Sequence, residues 1–334
     1  MAYWLKAEGR ESDIAVSTRV RIARNLAGMP FPHRIRGTNK VPKVKEPIKK
    51  AFLRPGMDFS LIEMKSLSPV EKTRLVEQHI ISKDLAASED GAVVLSPDEA
   101  VSVMIMEEDH FRLQAIKGGF DPEGTFEACR ELEKMLGKEA EYAFDHKLGY
   151  LTACPTNVGT GLRVSVMLHL KALAMSGTLQ SALSSFSRFG VTARGMYGEG
   201  TSAGADMYQI SNQITLGLRE EDIVKNISTV VKSLIEKERD VRRILYKSNK
   251  LEIEDKVMRA YGLLRYAKKI NTEEAMEYLS WLNMGMGMGI VQPCTQDALY
   301  NLVMDIMPAM LAAEGGTAAE RDKARAELIK KTFV

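Results

Sequence analysis

The chain lacks most of the devices that mark a specialised class. No apolar run approaches the roughly 18 residues that cross a bilayer, so no membrane association is expected. The opening stretch MAYWLKAEGRESDIAV has neither an apolar h-region nor a cleavage pattern, which predicts no signal peptide. Only 3 cysteines occur in 334 residues, Cys129, Cys154 and Cys294, an odd number and widely spaced. They suit a reducing cytoplasm better than a disulfide framework or a zinc site. A dominant charge is missing too: 46 basic against 44 acidic residues leave a net charge of +2. That balance argues against direct nucleic-acid binding, but not against a locally basic cleft. Finally there is no G-x-x-x-x-G-K-S/T loop, so if phosphates are bound, arginines must neutralise them.

What is present is the composition of a globular protein, 45% hydrophobic and 27% charged, long enough for one large domain or two ordinary ones. Residues from about Ser12 to Gly217 read as mixed strands and helices. Ile14 to Ile22 alternates as a half-buried strand does, and Asn25 to Pro32 is a break. Ser68 and Glu71 stand at capping-box spacing, opening a helix to about Ile80. Ala92–Leu95 and Val101–Met106 suit buried strands, and Phe126–Met135 has helical spacing. Leu162–Leu173 is apolar and long enough to predict a helix.

After Gly217 the chain turns rich in Glu, Lys, Leu, Ile and Met, with a helical stripe from Ile223 to Ile235. Further helices are predicted over 252–270, 272–283 and 295–313, with Pro308 as a kink. A last helix spans Ala318–Lys331, capped by Thr317 and Glu320. The glycine-interrupted Asn283–Ile290 predicts a loop. The fold class is α+β, a catalytic part followed by a helical C-terminal part, with the boundary near residue 240.

Four segments carry the chemistry. In Ser17-Thr18-Arg19-Val20-Arg21, followed by Arg24, the arginines two apart share a strand face and call for an anion between them. Glu107-Glu108-Asp109-His110-Phe111-Arg112 sets carboxylates at a strand end, where they can hold a guanidinium or help hold Mg²⁺. Cys154 to Arg163 joins a thiol, two glycines and an arginine around a tight turn. Arg194-Gly195-Met196-Tyr197-Gly198-Glu199-Gly200 is a glycine-rich loop with one cation and one carboxylate. Singly, these fit a charged edge strand, an acidic turn, a buried thiol and a surface loop. Together they point to phosphoryl transfer, which needs positioning and charge stabilisation above all.

In order, spacing and identity, these segments resemble the phosphagen (guanidino) kinase superfamily over about residues 11–240. Within it the chain is most similar to the bacterial protein-arginine kinases. It lacks the N-terminal helical domain of the small-guanidine enzymes, Gln209–Gln213 follows the glycine loop, and Arg321-Asp322-Lys323-Ala324-Arg325-Ala326 resembles that branch's phosphoarginine-binding motif. The resemblance implies a catalytic domain over 11–240, with an antiparallel sheet flanked by helices. It implies an all-helical domain over 241–334 for dimerisation and allosteric phosphoarginine binding.

It also implies roles for individual residues. Ser17, Thr18, Arg19, Val20, Arg21, His79, Arg112, the run Arg163, Val164, Ser165, Val166 and Met167, and the loop Arg194 to Glu199 would bind ATP. Glu108 and Glu199 would orient the acceptor guanidinium beside Cys154. ATP and Mg²⁺ are the implied cofactors, with no protein metal ligands assigned. The implied setting is a cytoplasmic homodimer in stress response and protein quality control. It would act on unfolded proteins and a heat-shock repressor, with a zinc-binding activator protein and a Clp-type ATPase/protease as partners. The alternatives are a free-arginine kinase and a non-catalytic phosphoarginine-binding adaptor.

Overall fold

The computed structural model describes residues 10–195, 206–312 and 316–333. Its strands are β1 (Ala15–Arg24), β2 (Ser60–Glu63), β3 (Ala92–Leu95), β4 (Val101–Ile105), β5 (Phe111–Gly118), β6 (Phe144–Asp145), β7 (Gly149–Tyr150), β8 (Leu162–His169), β9 (Val191–Gly195) and β10 (Met207–Asn212). The helices of the first two-thirds are α1 (Pro32–Ile35), α2 (Val41–Phe52), α3 (Pro69–Glu77), α4 (Lys83–Ala86), α5 (Pro122–Gly137), α6 (Lys171–Met175), α7 (Leu179–Ser187) and α8 (Glu220–Ser248). Then follow α9 (Lys250–Tyr266), α10 (Thr272–Gly287), α11 (Gln296–Asp305) and α12 (Ala318–Thr332). The boundary expected near residue 240 falls within α8.

Eight strands form one antiparallel sheet in the order β2-β3-β4-β5-β1-β8-β10-β9, with β6 and β7 a separate hairpin. Successive residues of a strand face opposite ways, so each strand divides its side chains between two environments. Val20, Ile22, Leu113, Ala115, Val164, Val166 and Ile210 face one way and pack under α2, α5 and α8 as the main core. Among the described residues, the other face is covered only at its flanks. Met64, Ile80, Ile81 and Leu85 cover Val93, Leu95 and Met104. The C-terminal helices cover Val16, Ile116, Met167 and Met207. A polar strip is left open between them.

Local chemistry fixes the helix ends. α3 and α12 begin with complete capping boxes, Ser68 with Glu71 and Thr317 with Glu320. The Asp121 side chain accepts from Gly124 N at the start of α5, with Pro122 at the first helical position. Phe126, Cys129, Leu132 and Leu136 then bury one stripe of that helix.

Three expectations from sequence are corrected. Leu162–Leu173 is not a helix but β8 followed by the short α6. Strand β8 is interior and nearly every residue is buried, so its pattern is a continuous apolar run instead of an alternation. Asn283–Ile290 is not a loop at its start, because α10 continues to Gly287. A Cβ on Gly285 would stand 2.3 Å from Val257 Cγ1 of α9, so glycine here serves close helix contact within an intact helix. The helix predicted over 295–313 ends at Asp305 instead of kinking at Pro308.

Two buried histidines hold the frame as neutral rings. His110 accepts from Leu26 N through Nδ1 (3.1 Å) and donates from Nε2 to Pro30 O (3.0 Å). His169 accepts from Arg242 Nη2 at 3.2 Å and donates to Ser280 Oγ at 2.9 Å, joining β8 to α8 and α10. Burial pushes His110 down to about 4. Burial, followed by the charges of Arg242 and Lys171, pushes His169 well below the ordinary value.

Two predictions come from this packing. Gly285→Ala is expected to lower stability by about 1–3 kcal/mol through overpacking. Gly262→Ala on α9, where a Cβ meets nothing within 4 Å, should raise it by about 0.5–1 kcal/mol. Denaturant unfolding of the two variants checks the contrast. The histidine pKa values are depressed in the folded state, so below pH 6.5 the unfolded chain takes up protons that the folded chain does not. Stability should therefore fall as pH drops below that value, by up to about 1.4 kcal/mol per pH unit for each ring. Unfolding at about pH 7.5 and about pH 5.5 measures it, and His110→Gln should flatten the slope.

Candidate active site

The open strip of the sheet is built by register. Arg21 of β1 stands opposite Arg163 of β8, and Arg19 opposite Ser165. Across β1's other edge, Arg21 pairs with Gln114 and Ala23 with Arg112 of β5. Gln209 of β10 pairs with Met167 on one side and with Arg194 of β9 on the other. Arg19, Arg21, Arg112, Arg163 and Arg194 therefore share one face, together with Ser17, Ser165 and Met167. Thr18, Val20, Val164 and Val166 occupy the opposite face. Thr18 is fully buried there, donating to Gly119 O at 2.8 Å and accepting from Asp121 N at 3.0 Å.

The cations on this face raise one another's cost. Burial, then the charges of Arg112 and Arg163, push the Arg19 pKa down to about 10. Arg21 is held well below its ordinary value by burial and then by Arg19, and Arg163 is lowered by burial and then by Arg194. An arginine does not give up its proton at ordinary pH, so these shifts read as electrostatic strain. Arg19 donates Nη2 to Gln209 Oε1 at 3.1 Å, but among the described residues the buried Nε of Arg21 has no hydrogen-bond partner. A buried donor left unmatched among like charges is what a polyanion would satisfy.

The carboxylates stand at the end of β4. Met106 takes a φ of 60°, a left-handed turn that is uncommon outside glycine, and the next two residues diverge. Glu107 turns inward, fully buried, bonded to Arg112 and Ser82. Glu108 turns outward, with its Oε2 at 3.5 Å from Arg112 Nη2. Burial, then the charge of Asp109, raises the Glu108 pKa against the pull of Arg112. A raised carboxyl accepts a proton more readily.

Asp109 and Arg24 lie in segments singled out from sequence, but their positioning roles were not legible there. Asp109 Oδ1 accepts from Asn25 Nδ2 (2.6 Å) and from Ala153 N (2.7 Å), fixing the chain just before Cys154. Arg24, which follows those arginines in sequence, is fully buried and faces the other way. It donates to Thr160 O at 2.7 Å and to Glu133 Oε1 at 2.6 Å, with its guanidinium 3.4 Å from the Tyr150 ring centroid. It thereby holds the turn Gly159-Thr160-Gly161. That turn requires both glycines: their φ values are 109° and 62°, and a Cβ would stand 2.4 Å from Thr215 O and 2.6 Å from Ala23 O respectively.

These parts converge on a cleft of about 130 Å³ lined by Arg21, Glu108, Arg112, Cys154, Asn157 and Arg163. Cys154 Sγ lies 3.0 Å from Thr156 Oγ1 there. A small cavity beside it is lined by Ser17, Arg19, His79, Ser165, Met167 and Gln209. His79 is pushed down to about 3 by burial and then by Arg19 and Arg21, and is a neutral ring. Glu108 also borders a wider groove of about 460 Å³ with His33, Arg36, Asp84 and Glu107. A larger cavity, about 530 Å³, lies away from this face, where Arg239 is already paired with Glu11 and Asp13 and Arg242 with Glu238.

Arg194 and Gly195 end β9 instead of starting a loop, whereas Met196, Tyr197, Gly198 and Glu199 lie outside the described residues. Among the described residues no group of three His, Cys, Asp or Glu is placed to hold a metal ion. None of the described helices is long and apolar enough to cross a membrane. The segment Arg321–Ala326 lies in the first half of α12, away from the sheet. Arg321 donates Nη1 to Gly316 O at 3.1 Å. Arg325 is only 1% exposed, donating to Ile306 O and Ile270 O at 2.9 Å and to Asp322 Oδ1 at 2.6 Å. Asp322, Lys323 and Ala324 are at least partly exposed and Ala326 is buried.

Comparison with known proteins matches this architecture. The profile of the ATP:guanido phosphotransferase C-terminal catalytic domain matches residues 43–241, and that of the protein-arginine kinase McsB C-terminal domain matches residues 250–334. The protein-arginine kinase of Pelotomaculum thermopropionicum is 42% identical over 343 residues, covering 99% of this chain and 96% of the relative. That of Halothermothrix orenii is 41% identical over 334 residues, with the same coverage. Among solved structures, lombricine kinase superposes with a TM-score of 0.60 at 25% identity, over 72% of this chain and 70% of that one. A duplicated taurocyamine kinase from Schistosoma mansoni shares the fold at a TM-score of 0.59 and 24% identity, over 73% of this chain and 37% of that one. The chain therefore belongs to the ATP:guanido phosphotransferase family, in its protein-arginine kinase branch.

Proposed function

We propose that the protein transfers the γ-phosphoryl group of ATP to arginine side chains of proteins. The observation that carries this reading is the cleft itself. Opposed Arg21 and Arg163, with Arg112, border the same small space as Glu108 and Cys154. A polyphosphate relieves the crowded cations, and the carboxylate is within reach of a guanidinium that approaches its γ-phosphorus. Neutral His79, beside Arg19, would meet the nucleotide where no further positive charge is needed. ATP would bring Mg²⁺ held mainly by phosphate oxygens and water, and Mg²⁺ would neutralise charge on the transferred group.

A guanidinium keeps its proton at ordinary pH, so no carboxylate can deprotonate it beforehand. Glu108 would align the acceptor nitrogen and take its proton as the N–P bond forms and the bond from phosphorus to the ADP oxygen breaks. The thiol of Cys154 would border the cationic acceptor, and Glu199 would supply the second carboxylate. The groove beyond Glu108 favours an acceptor carried on a chain over a compact metabolite.

The wider setting belongs to the same proposal and rests on the resemblance. It comprises a stress-response and quality-control role in the cytoplasm, unfolded proteins and a heat-shock repressor as substrates, a zinc-binding activator and a Clp-type ATPase/protease. An allosteric phosphoarginine site at Arg321–Ala326 would meet its ligand mainly through Arg321, Asp322 and Lys323, with Arg325 behind them. A homodimer contact is supported by Leu251, 81% exposed, and Tyr266, 77% exposed, with Met258 on the same face of α9.

The test is incubation with MgATP and an arginine-rich unfolded protein, with free L-arginine in parallel, read by mass spectrometry without acid treatment. Phosphate is expected on protein arginines. Glu108→Gln should lower the rate by roughly 100-fold or more while leaving ATP affinity nearly unchanged, as loss of a positioned acid–base group does. Phosphate on free arginine alone, or full activity in Glu108→Gln, would contradict the reading.

A further inference from the structure

Helix α3 ends beside the small cavity of the arginine face, and two of its side chains grip a distant part of the chain. Arg74 donates Nε to Ala309 O at 2.8 Å and Nη2 to Ala312 O at 2.6 Å. Three residues on, the Glu77 carboxylate accepts from Ala309 N at 3.0 Å and from Met310 N at 3.2 Å. Both the N–H and the C=O of Ala309 are thus held from α3. These are charge-assisted bonds, the stronger kind. No residue of α3 is fully buried, and its apolar contact is limited to Leu75 and Val76, partly buried against the cluster of Met64, Ile80 and Leu85.

Two residues past Glu77 the chain reaches His79, whose φ is 59°. A non-glycine residue in the left-handed region persists only where its surroundings hold it. Its carbonyl accepts from Gln114 Nε2 at 2.9 Å, and its ring lines the cavity with Ser17, Arg19, Ser165 and Gln209. On the far side, three residues before Ala309, Ile306 O accepts from Arg325 Nε of α12 at 2.9 Å. The grip therefore stands between the helical C-terminal part and the end of the arginine face.

We propose that Arg74 and Glu77 are positioning residues for the nucleotide, fixing the end of α3 against residues 309–312 so that His79 is set at the arginine face. The proposal rests on the reading that this face binds ATP. Neither side chain touches the cavity; each acts through the backbone that leads to His79. Loss of either grip leaves the cleft around Glu108 and Cys154 intact, so the effect falls on KM for MgATP and not on KM for the acceptor.

Steady-state kinetics of the full chain test it with Arg74→Ala, Glu77→Ala and Glu77→Gln. The alanine variants should raise KM for MgATP on the order of tenfold, the size of one lost bond to a charged group. Glu77→Gln keeps one acceptor oxygen and should fall between them and the parent; it also keeps the test readable if Glu77→Ala does not fold. Ser68→Ala is the control, because it weakens the same helix from its other end, by removing its N-cap, without touching the grip. It should leave KM for MgATP near the parent value. An equal rise in Ser68→Ala would reduce the effect to helix stability and overturn the proposal. So would unchanged KM in the Arg74 and Glu77 variants while Arg163→Ala raises it. If Arg163→Ala itself leaves KM for MgATP unchanged, the nucleotide reading fails, and this proposal with it.

Discussion

Arg21 and Arg163 stand directly opposite each other on neighbouring strands, where Cβ atoms are only about 5 Å apart. Like charges at that position destabilise a sheet, and here Arg19, Arg112 and Arg194 share the face. The rest of the fold bears this concentration of charge. The opposite face of the same strands is the largest apolar cluster of the molecule, packed under α2, α5 and α8. Arg24 faces away and pins the Gly159–Gly161 turn, while Glu107 is buried to neutralise Arg112. The fold therefore holds a deliberately unbalanced site, consistent with strain being stored where a ligand will relieve it.

The crowded cations, the exposed carboxylate and the thiol border one cleft. The turn that carries Cys154 is set by Asp109, and Asp109 follows the Glu107–Glu108 pair whose two members face opposite ways. One short segment thus supplies the buried carboxylate that pairs with Arg112, the exposed carboxylate of Glu108 and the group that fixes the chain before Cys154. The helical part reaches the same face by two routes, through Ser280 bonded to Asp206 at the entry to β10 (2.6 Å), and through the contacts of α3 with residues 309–312. Relatives similar in sequence over nearly the whole chain are protein-arginine kinases.

Much of this was legible in the sequence, for physical reasons. Arg19 and Arg21 could be assigned to one face because a half-buried strand announces its period, and the two capping boxes announced the starts of α3 and α12. Strand β8 could not be read, since burial on both faces erases the alternation that separates strand from helix. The glycines of α10 misled because their purpose, contact with Val257 of α9, is a tertiary fact. Convergence of four segments on one face was expected only through resemblance; the geometry depends on pairing residues over 140 positions apart, as with Arg21 and Arg163. Asp109 and Gln209 stood in segments singled out from sequence, but their partners, like those of the Arg74–Glu77 pair, are far away in the chain, so no local pattern marks their positioning roles.

The central claim is that the arginine face is strained until a polyphosphate occupies it. The most direct measurement is the unfolding free energy of the parent and of Arg163→Leu, with and without MgATP. Without nucleotide, Arg163→Leu should be at least as stable as the parent, by up to about 1 kcal/mol, because one of two opposed cations is gone. With nucleotide, the parent should be stabilised strongly and the variant far less. A variant that is less stable without nucleotide yet keeps the full stabilisation by MgATP would contradict the account.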